Sequence, residues 1–279
     1  MAFSHNWKPA IKMLDIRAYM LTLAVILLAA VAVWLISLIK RNVSIVDSLW
    51  SLLFLLGVVV YFSLIESSPG PRTLLILVLV ALWAIRLSVY ITVRNWGHGE
   101  DHRYQAIRAR NQPNFAFKSL YLVFGLQGML AWFIALPLLV AAGNNPALGW
   151  LDYAGIGLWL VGMSFETLGD FQLSRFKANP DNAGKVMDSG FWRYTRHPNY
   201  FGEFTLWWGY YLIAVAAGGW WTLPAPLLMS LLLLKVSGVS LLEKDIGERR
   251  PGYAEYIQRT NAFFPGPVRI VSPAAGAES

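Results

Sequence analysis

The sequence predicts an all-α integral membrane protein, a bundle of about seven transmembrane helices that forms a single domain over residues 1–279. Of its 279 residues, 56% are hydrophobic and only 14% are charged, and the mean hydropathy is +0.48. These values are typical of membrane proteins. The chain has no cysteine, which excludes disulfides, thiolate catalysis and cysteine-bound metals.

Seven apolar runs are long enough to cross a bilayer, which takes about 20 residues. They lie at residues 17–39, 45–66, 72–93, 119–142, 149–170, 198–217 and 220–242. The first run follows basic residues and resembles a signal peptide, but its apolar character continues through Trp34 to Ile39. We therefore expect a retained membrane anchor.

The distribution of lysine and arginine predicts the orientation in the membrane. With the N-terminus outside, seventeen of these residues lie in segments on the cytoplasmic side and four outside. We expect a bacterial inner membrane protein with a cytoplasmic C-terminus. The three long polar segments then face the cytoplasm, and a soluble cofactor would enter from there.

The stretch 190–210, GFWRYTRHPNYFGEFTLWWGY, carries many polar residues and continues directly into the sixth apolar run. Charged and amide groups at membrane depth cost several kcal/mol unless they are paired, so they are candidates for function. A basic aromatic belt at the headgroup level is the alternative, although a belt needs neither the amide nor the acid inside the helix. The residues that draw attention here are Arg193, Arg196, His197, Asn199 and Glu203.

The fifth run ends with two acids, Glu166 and Asp170, which lie four residues apart and so share one helical face. Arg175 and Lys177 follow at once. The residues either form a charged helix end at the interface or bind a ligand, with the acids taking ribose or amide groups and the cations taking phosphate.

The second and third runs add a further polar group each. Asp47 lies one turn inside an apolar helix, where a lone carboxylate is costly. Arg86 is either its partner, the partner of an anion, or a side chain that reaches to the interface. The following segment GHGEDHRY contains two histidines and two acids, but the spacing matches no standard metal site, so we expect no metal.

The seventh run places Lys235 and Glu243 about two turns apart, so both can face the same interior. The tail YAEYIQRTNAFFP has the pattern of a short amphipathic helix on the membrane. Because no glycine-rich strand–helix turn is present, a Rossmann domain is excluded, and a nucleotide would be held by side chains among helices.

Together these motifs resemble the steroid 5α-reductase family, and its bacterial branch most closely. The resemblance rests on GMSFETLGD at 162–170, RHPNYFGEFTLWWGY at 196–210, LLEKDIGERRPGYAEY at 241–256 and the EDxRY pattern at 100–104. It covers roughly residues 40–265, which would form the catalytic core. It implies a seven-helix bundle whose cytoplasmic loops close over an NADPH site, and reduction of the Δ4 double bond of a 3-oxo steroid or a related lipid enone.

The resemblance also implies roles for single residues. Asp170 and Asn199 would anchor the cofactor, Glu203 would hold its nicotinamide amide, and Lys177 would take a phosphate. Glu166 and Glu243 stand where eukaryotic members carry other residues. The cofactor-binding residues expected overall are Arg86, Arg103, Glu166, Asp170, Arg175, Lys177, Tyr194, Arg196, His197, Asn199, Glu203, Lys235 and Glu243.

The chemistry of enone reduction adds a second requirement. Hydride reaches the β-carbon while a hydrogen-bond donor stabilises the developing enolate oxygen, and a buried protonated acid or a tyrosine can be that donor. Asp47 lies near the family's catalytic acid, and either Trp83 or Tyr90 near its catalytic tyrosine, so we expect these three residues to be catalytic. The apolar substrate would enter sideways from the bilayer lipids.

Two other functions remain open. Membrane methyltransferases that act on isoprenylated cysteine or phospholipid have a similar RHPxYxGE element and bind S-adenosylmethionine, so a shared fold does not decide the activity. A transporter or a lipid-binding protein is the third class. Its polar residues would lie at broken helices in mid-membrane, whereas here they lie at the predicted cytoplasmic ends.

Overall fold

The helices of the computed structural model follow the apolar runs of the sequence. The structure describes residues 14–65, 68–144, 147–236 and 252–269, and no strand occurs among them. Helices α1, α2, α3 and α4 have the bounds Ile16–Lys40, Ile45–Leu64, Pro71–Asn95 and His102–Arg110. The later helices are Phe115–Ile134, Leu136–Gly143, Trp150–Ala178, Pro198–Ala216, Trp220–Lys235 and Tyr253–Arg259.

Local chemistry determines where the first helices begin and end. The Asp15 carboxylate accepts the Ala18 N–H at 2.9 Å and so caps α1. Helix α1 ends at Lys40, and the capping residue Arg41 that follows has a left-handed backbone with φ of 49°. Helix α3 begins at Pro71, where the missing N–H costs no helical hydrogen bond.

Four helices in the described ranges are long and apolar enough to cross a membrane, and the all-α membrane prediction is confirmed at that level. They are α1, α2, α3 and Phe115–Ile134. Trp220–Lys235 is a shorter apolar helix. The total of seven spans stays a prediction, because four helices of the described residues meet the criteria of length and composition for a membrane span.

The fourth predicted run, 119–142, is interrupted rather than continuous. A π-helical turn occupies Leu120–Gly125, and the helix ends at Ile134 before a second helix begins at Leu136 with Pro137 in its first turn. Proline at a first helical position needs no hydrogen-bond partner for its nitrogen, so it favours a new helix here.

The described residues form two compact units. Within the described ranges, the first unit combines the residues up to Asp152 with Ile213–Ala225, and the second combines Tyr153–Leu212 with the residues from Pro226 onward. In the first unit α2 packs against both α1 and α3, and Phe54 meets Trp83 edge-on at 5.6 Å. The prediction of a single domain stays a prediction.

The second unit is built on a close contact between Trp150–Ala178 and Pro198–Ala216. A Cβ atom at Gly162 would lie 2.5 Å from the Gly202 carbonyl oxygen, and one at Gly209 would lie 2.7 Å from that of Gly155. Only glycine allows the two backbones to come this near. This contact brings the polar residues of the two helices next to each other.

Candidate functional site

Asp47, in the first turn of α2, is the centre of a polar cluster in the first unit. Its side chain is 15% exposed. Its Oδ2 accepts a hydrogen bond from Arg103 Nη2 at 2.8 Å, and its Oδ1 accepts one from the Tyr104 hydroxyl at 2.5 Å. Gln127 Nε2 in turn lies 3.3 Å from the Tyr104 oxygen. We call Asp47, Arg103, Tyr104 and Gln127 the Asp47 cluster.

The EDxRY motif explains how this cluster is held in place. The Glu100 carboxylate accepts the Val43 N–H at 2.9 Å and pairs with Arg108 at 2.7 Å, while Asp101 caps α4 and its N–H donates to Ser44 Oγ at 2.7 Å. These bonds fasten the start of α4 to the start of α2. Arg103 and Tyr104 are thereby delivered to Asp47.

The electrostatics of the motif follow from the same contacts. Burial alone would raise the pKa of Glu100, but hydrogen bonds from Arg108 and Val43 and the charge of Arg108 outweigh it, so the pKa of Glu100 is lowered. The pKa of Tyr104 is raised, first by burial and then by the negative charge of Asp47. The Tyr104 phenol therefore keeps its proton and acts as the donor in its bond to Asp47.

The two aromatic residues predicted to be catalytic lie on α3. Trp83 is fully buried. The ring of Tyr90 has the guanidinium groups of Arg86 and Arg94 at 5.6 and 5.8 Å from its centroid. The phenol that bonds to Asp47 is that of Tyr104. The EDxRY motif was the sequence signal that could have identified Tyr104.

A cavity of about 320 Å³ opens beside the same motif. It is lined in part by Ser44, Arg94, His98, Glu100 and Asp101. The two acids are already bonded to arginines. Among the described residues no cluster of three or more histidine, cysteine or acidic side chains could hold a metal ion.

The second unit contains the acids predicted to anchor a cofactor. Asp170 is 4% exposed and accepts a hydrogen bond from Asn199 Nδ2 at 3.2 Å. Glu203 Oε1 accepts the indole N–H of Trp207 at 3.2 Å. Glu166 and Glu203 are both buried. The structure thus brings Asp170 and Asn199 together, with the two glutamates on the same helix pair. We call these four residues the acidic cluster.

Most of the cationic residues predicted to bind the cofactor in the second unit lie at its surface, as does Tyr194. Arg175 and Lys177 are exposed in the last turn of Trp150–Ala178, Tyr194 is 47% exposed, and Lys235 is exposed. His197 is buried, 6.0 Å from the ring of Tyr200. Glu243 lies outside the described residues.

Arg196 has a contact that sequence reasoning did not foresee. It is buried, its Nη1 donates to the Thr260 carbonyl at 2.8 Å, and its N–H donates to the Asn261 carbonyl at 2.9 Å. Thr195 Oγ1 donates to the Phe263 carbonyl at 2.7 Å. The C-terminal segment therefore fastens the turn that leads into Asn199, and Arg196 is part of that fastening.

Comparison with known proteins identifies a family whose model matches most of the chain. A family described as a protein of unknown function (DUF1295) matches residues 33–260. An uncharacterized protein of Schizosaccharomyces pombe is 27% identical over an alignment 263 positions long, which spans 83% of this chain and 75% of that protein. No solved structure gives a significant match.

Proposed function

The chain belongs to the DUF1295 family of proteins of unknown function, and on that premise we propose that it is a membrane-embedded NADPH-dependent reductase of an apolar enone, such as a 3-oxo-Δ4 steroid. The observation that carries the proposal is the bond between Asp170 and Asn199 beside buried Glu166 and Glu203. These are the positions at which the resemblance to 5α-reductases expects the cofactor.

The side chains of the acidic cluster fit the polar parts of a dinucleotide. Carboxylates accept hydrogen bonds from ribose hydroxyls and from a carboxamide N–H, and Asn199 can both donate and accept. Arg175 and Lys177, one to two turns beyond Asp170, are exposed and able to meet phosphate groups. When bound, NADPH supplies the hydride.

The Asp47 cluster would supply the proton. Tyr104 donates to Asp47, and Arg103 stabilises the negative charge there. A phenol or a carboxylic acid in an apolar protein interior is a suitable donor to the oxygen or carbon of an enolate. We therefore propose that Asp47 and Tyr104 together are the proton donor. The sequence predicted that Asp47 would act with Tyr90 or Trp83 instead.

Purified protein in detergent tests the proposal directly. NADPH oxidation is followed with and without a 3-oxo-Δ4 steroid, and the saturated ketone is identified by mass spectrometry. We expect oxidation that depends on the steroid and yields one saturated product per NADPH. NADPH binding without any reduction across a panel of steroid and prenyl enones would contradict the proposed reaction.

One observation favours the second candidate, a methyltransferase. The three acids of the acidic cluster are buried. Arg196 is buried as well, but its guanidinium bonds to carbonyls of the C-terminal segment. Buried acids also suit a cationic sulfonium group such as that of S-adenosylmethionine. Calorimetric titration with NADPH and with S-adenosylmethionine separates the two, since the reductase should bind NADPH alone.

A further inference from the structure

Gln127 is a polar residue of the Asp47 cluster that neither the sequence motifs nor the family resemblance pointed to. It lies in the helix Phe115–Ile134, two residues after the π-helical turn Leu120–Gly125. Such turns shift the register of the residues that follow and often occur at functional sites. Gln127 follows this turn and reaches the Asp47 cluster, since its Nε2 lies 3.3 Å from the Tyr104 hydroxyl.

The Tyr104 hydroxyl has one proton and two polar neighbours. It donates to Asp47 Oδ1 at 2.5 Å and accepts from Gln127 Nε2. Its ring is buried in an apolar cluster with Phe115 and Phe124, so it can rotate little. The hydrogen bonds therefore run in one direction, from the amide through the phenol to the carboxylate.

The other end of the Gln127 amide is unsatisfied in this arrangement. Its Oε1 is buried and has no hydrogen-bond partner within the described part of the chain. A buried acceptor without a partner is costly and calls for an explanation. An amide that turns over would place this oxygen against the Tyr104 hydroxyl instead, since the two orientations have nearly the same shape.

From this arrangement we infer that Gln127 is a positioning residue for proton transfer, and that its amide reverses when Asp47 gains a proton. With Asp47 ionised, the amide N–H donates to Tyr104 and Tyr104 donates to Asp47. With Asp47 protonated, the carboxyl O–H donates to Tyr104, the phenol proton turns to Gln127 Oε1, and the amide is inverted. The Tyr104 hydroxyl and both Asp47 oxygens then have a partner in both states, and Arg103 donates to Asp47 Oδ2 in each.

The two states differ by one proton on Asp47 and by the direction of the hydrogen bonds. This inference rests on the proposed function for its purpose, because the protonated state is the one that can give a proton to the reduced enone. Loss of that proton returns the cluster to the first state, and uptake of a proton from water restores the second. No electron moves within the cluster.

Infrared difference spectroscopy tests the reversal without any enzymatic assay. The full-length protein is prepared in lipid nanodiscs with glutamine labelled by ¹³C at the side-chain carbonyl, and spectra at acid and neutral pH are subtracted. The Asp47 carboxyl band is identified by its loss in Asp47→Asn. We expect a labelled amide band that shifts together with the Asp47 band and disappears in Gln127→Met, a variant of similar volume.

Gln105→Met is the matched control, because Gln105 is exposed and donates to the Glu100 carbonyl outside the cluster. Its spectrum should keep the shifting band. An Asp47 band that titrates while the labelled amide band stays unchanged would overturn the inference. So would the absence of any protonated Asp47 band over the whole pH range in which the protein stays folded.

Steady-state kinetics adds a readout that a purely structural role would not give. Gln127→Met should lower kcat for enone reduction about tenfold, because it removes positioning and leaves the acid in place, with the KM for NADPH unchanged. A higher KM at unchanged kcat would point to cofactor binding instead. If the wild type reduces no enone, the proposed function fails, while the infrared result still decides the role of Gln127.

Discussion

Asp47 illustrates how a charged residue is accommodated at the start of an apolar helix. A carboxylate there is costly unless a partner stabilises it. The structure provides Arg103 and Tyr104, both from the segment between α3 and Phe115–Ile134 and both more than 50 residues away in sequence. The sequence identified the acid as unusual but not its partners, because pairing at this separation depends on where the chain returns.

Replacing Asp47 tests its role in the proposed chemistry. Asp47→Asn keeps the shape and removes the charge that Tyr104 and Arg103 share, so turnover should fall at least 100-fold, the order of magnitude of a lost acid or base. NADPH affinity, measured by calorimetry, should change little. Ser63→Ala, on the same helix, is the comparison variant, since its exposed hydroxyl donates to the Val60 carbonyl outside the Asp47 cluster. Full activity of Asp47→Asn would exclude a catalytic role.

The acidic cluster leads to a separate prediction for cofactor binding. Asn199→Ala removes the amide bonded to Asp170, and Glu203→Ala removes a buried acid, so each should abolish detectable NADPH binding. Circular dichroism should show the helices unchanged. Ser164→Ala is the matched control, since its exposed hydroxyl bonds only to the Leu160 carbonyl of its own helix among the contacts described. Wild-type NADPH affinity in either alanine variant would contradict the cofactor assignment.

At the scale of elements, the approach of two helices decides the geometry of the acidic cluster. Trp150–Ala178 and Pro198–Ala216 meet through Gly162 and Gly202, where neither backbone leaves room for a side chain. The sequence showed a GMSFETLGD motif but not which helix faces its glycine. The contact explains why glycine stands at both positions.

A methyl group at this contact should therefore be destabilising. Gly162→Ala would place a Cβ 2.5 Å from the Gly202 carbonyl oxygen and the Leu206 nitrogen, so we expect a loss of about 1–3 kcal/mol, as for other overpacked sites. Thermal unfolding in detergent measures it. Gly157→Ala on the same helix is the control, since its Cβ would meet nothing within 4 Å. Equal melting temperatures of the two variants would disprove the close contact.

The attachment of α4 to α2 should weaken in acid. The pKa of Glu100 is lowered in the folded protein, so its contribution to stability is complete above the ordinary value of 4.5 and is lost as the pH falls through the lower folded value. Limited proteolysis with pepsin across that range should show increasing cleavage between Trp96 and Asn114. Glu100→Gln should be cleaved readily at every pH tested. A cleavage rate that does not depend on pH in the wild type would argue against the pairing.

At the scale of the whole molecule, the exposed surface supports a membrane location. Outward-facing apolar side chains occur along α1 and α3, among them Ile39 at 84% and Val93 at 69% exposed. Trp96 and Trp150, at 77% and 75% exposed, lie at helix ends, as expected for residues at a membrane interface. The orientation across the membrane rests on the lysine and arginine count and stays a prediction.

The natural absence of cysteine makes that orientation directly testable. We expect His102→Cys, in α4, to be protected from a membrane-impermeant maleimide in intact cells and to react after permeabilisation. Gly149→Cys, just before Trp150, should react in intact cells. The reverse pattern of labelling would show that the N-terminus is cytoplasmic.

The sequence by itself determined which apolar segments are helical, because about 20 consecutive apolar residues satisfy their backbone hydrogen bonds within one segment and need no distant partner. It also identified Asp47, Asp170 and Asn199 as unusual, because polar groups are rare in such runs. Only the tertiary structure decided that Tyr104 bonds to Asp47 and that Arg196 holds the C-terminal segment. Those contacts join residues far apart in sequence, and hydrogen bonds act only within about 3 Å, so they follow from how the helices and loops pack.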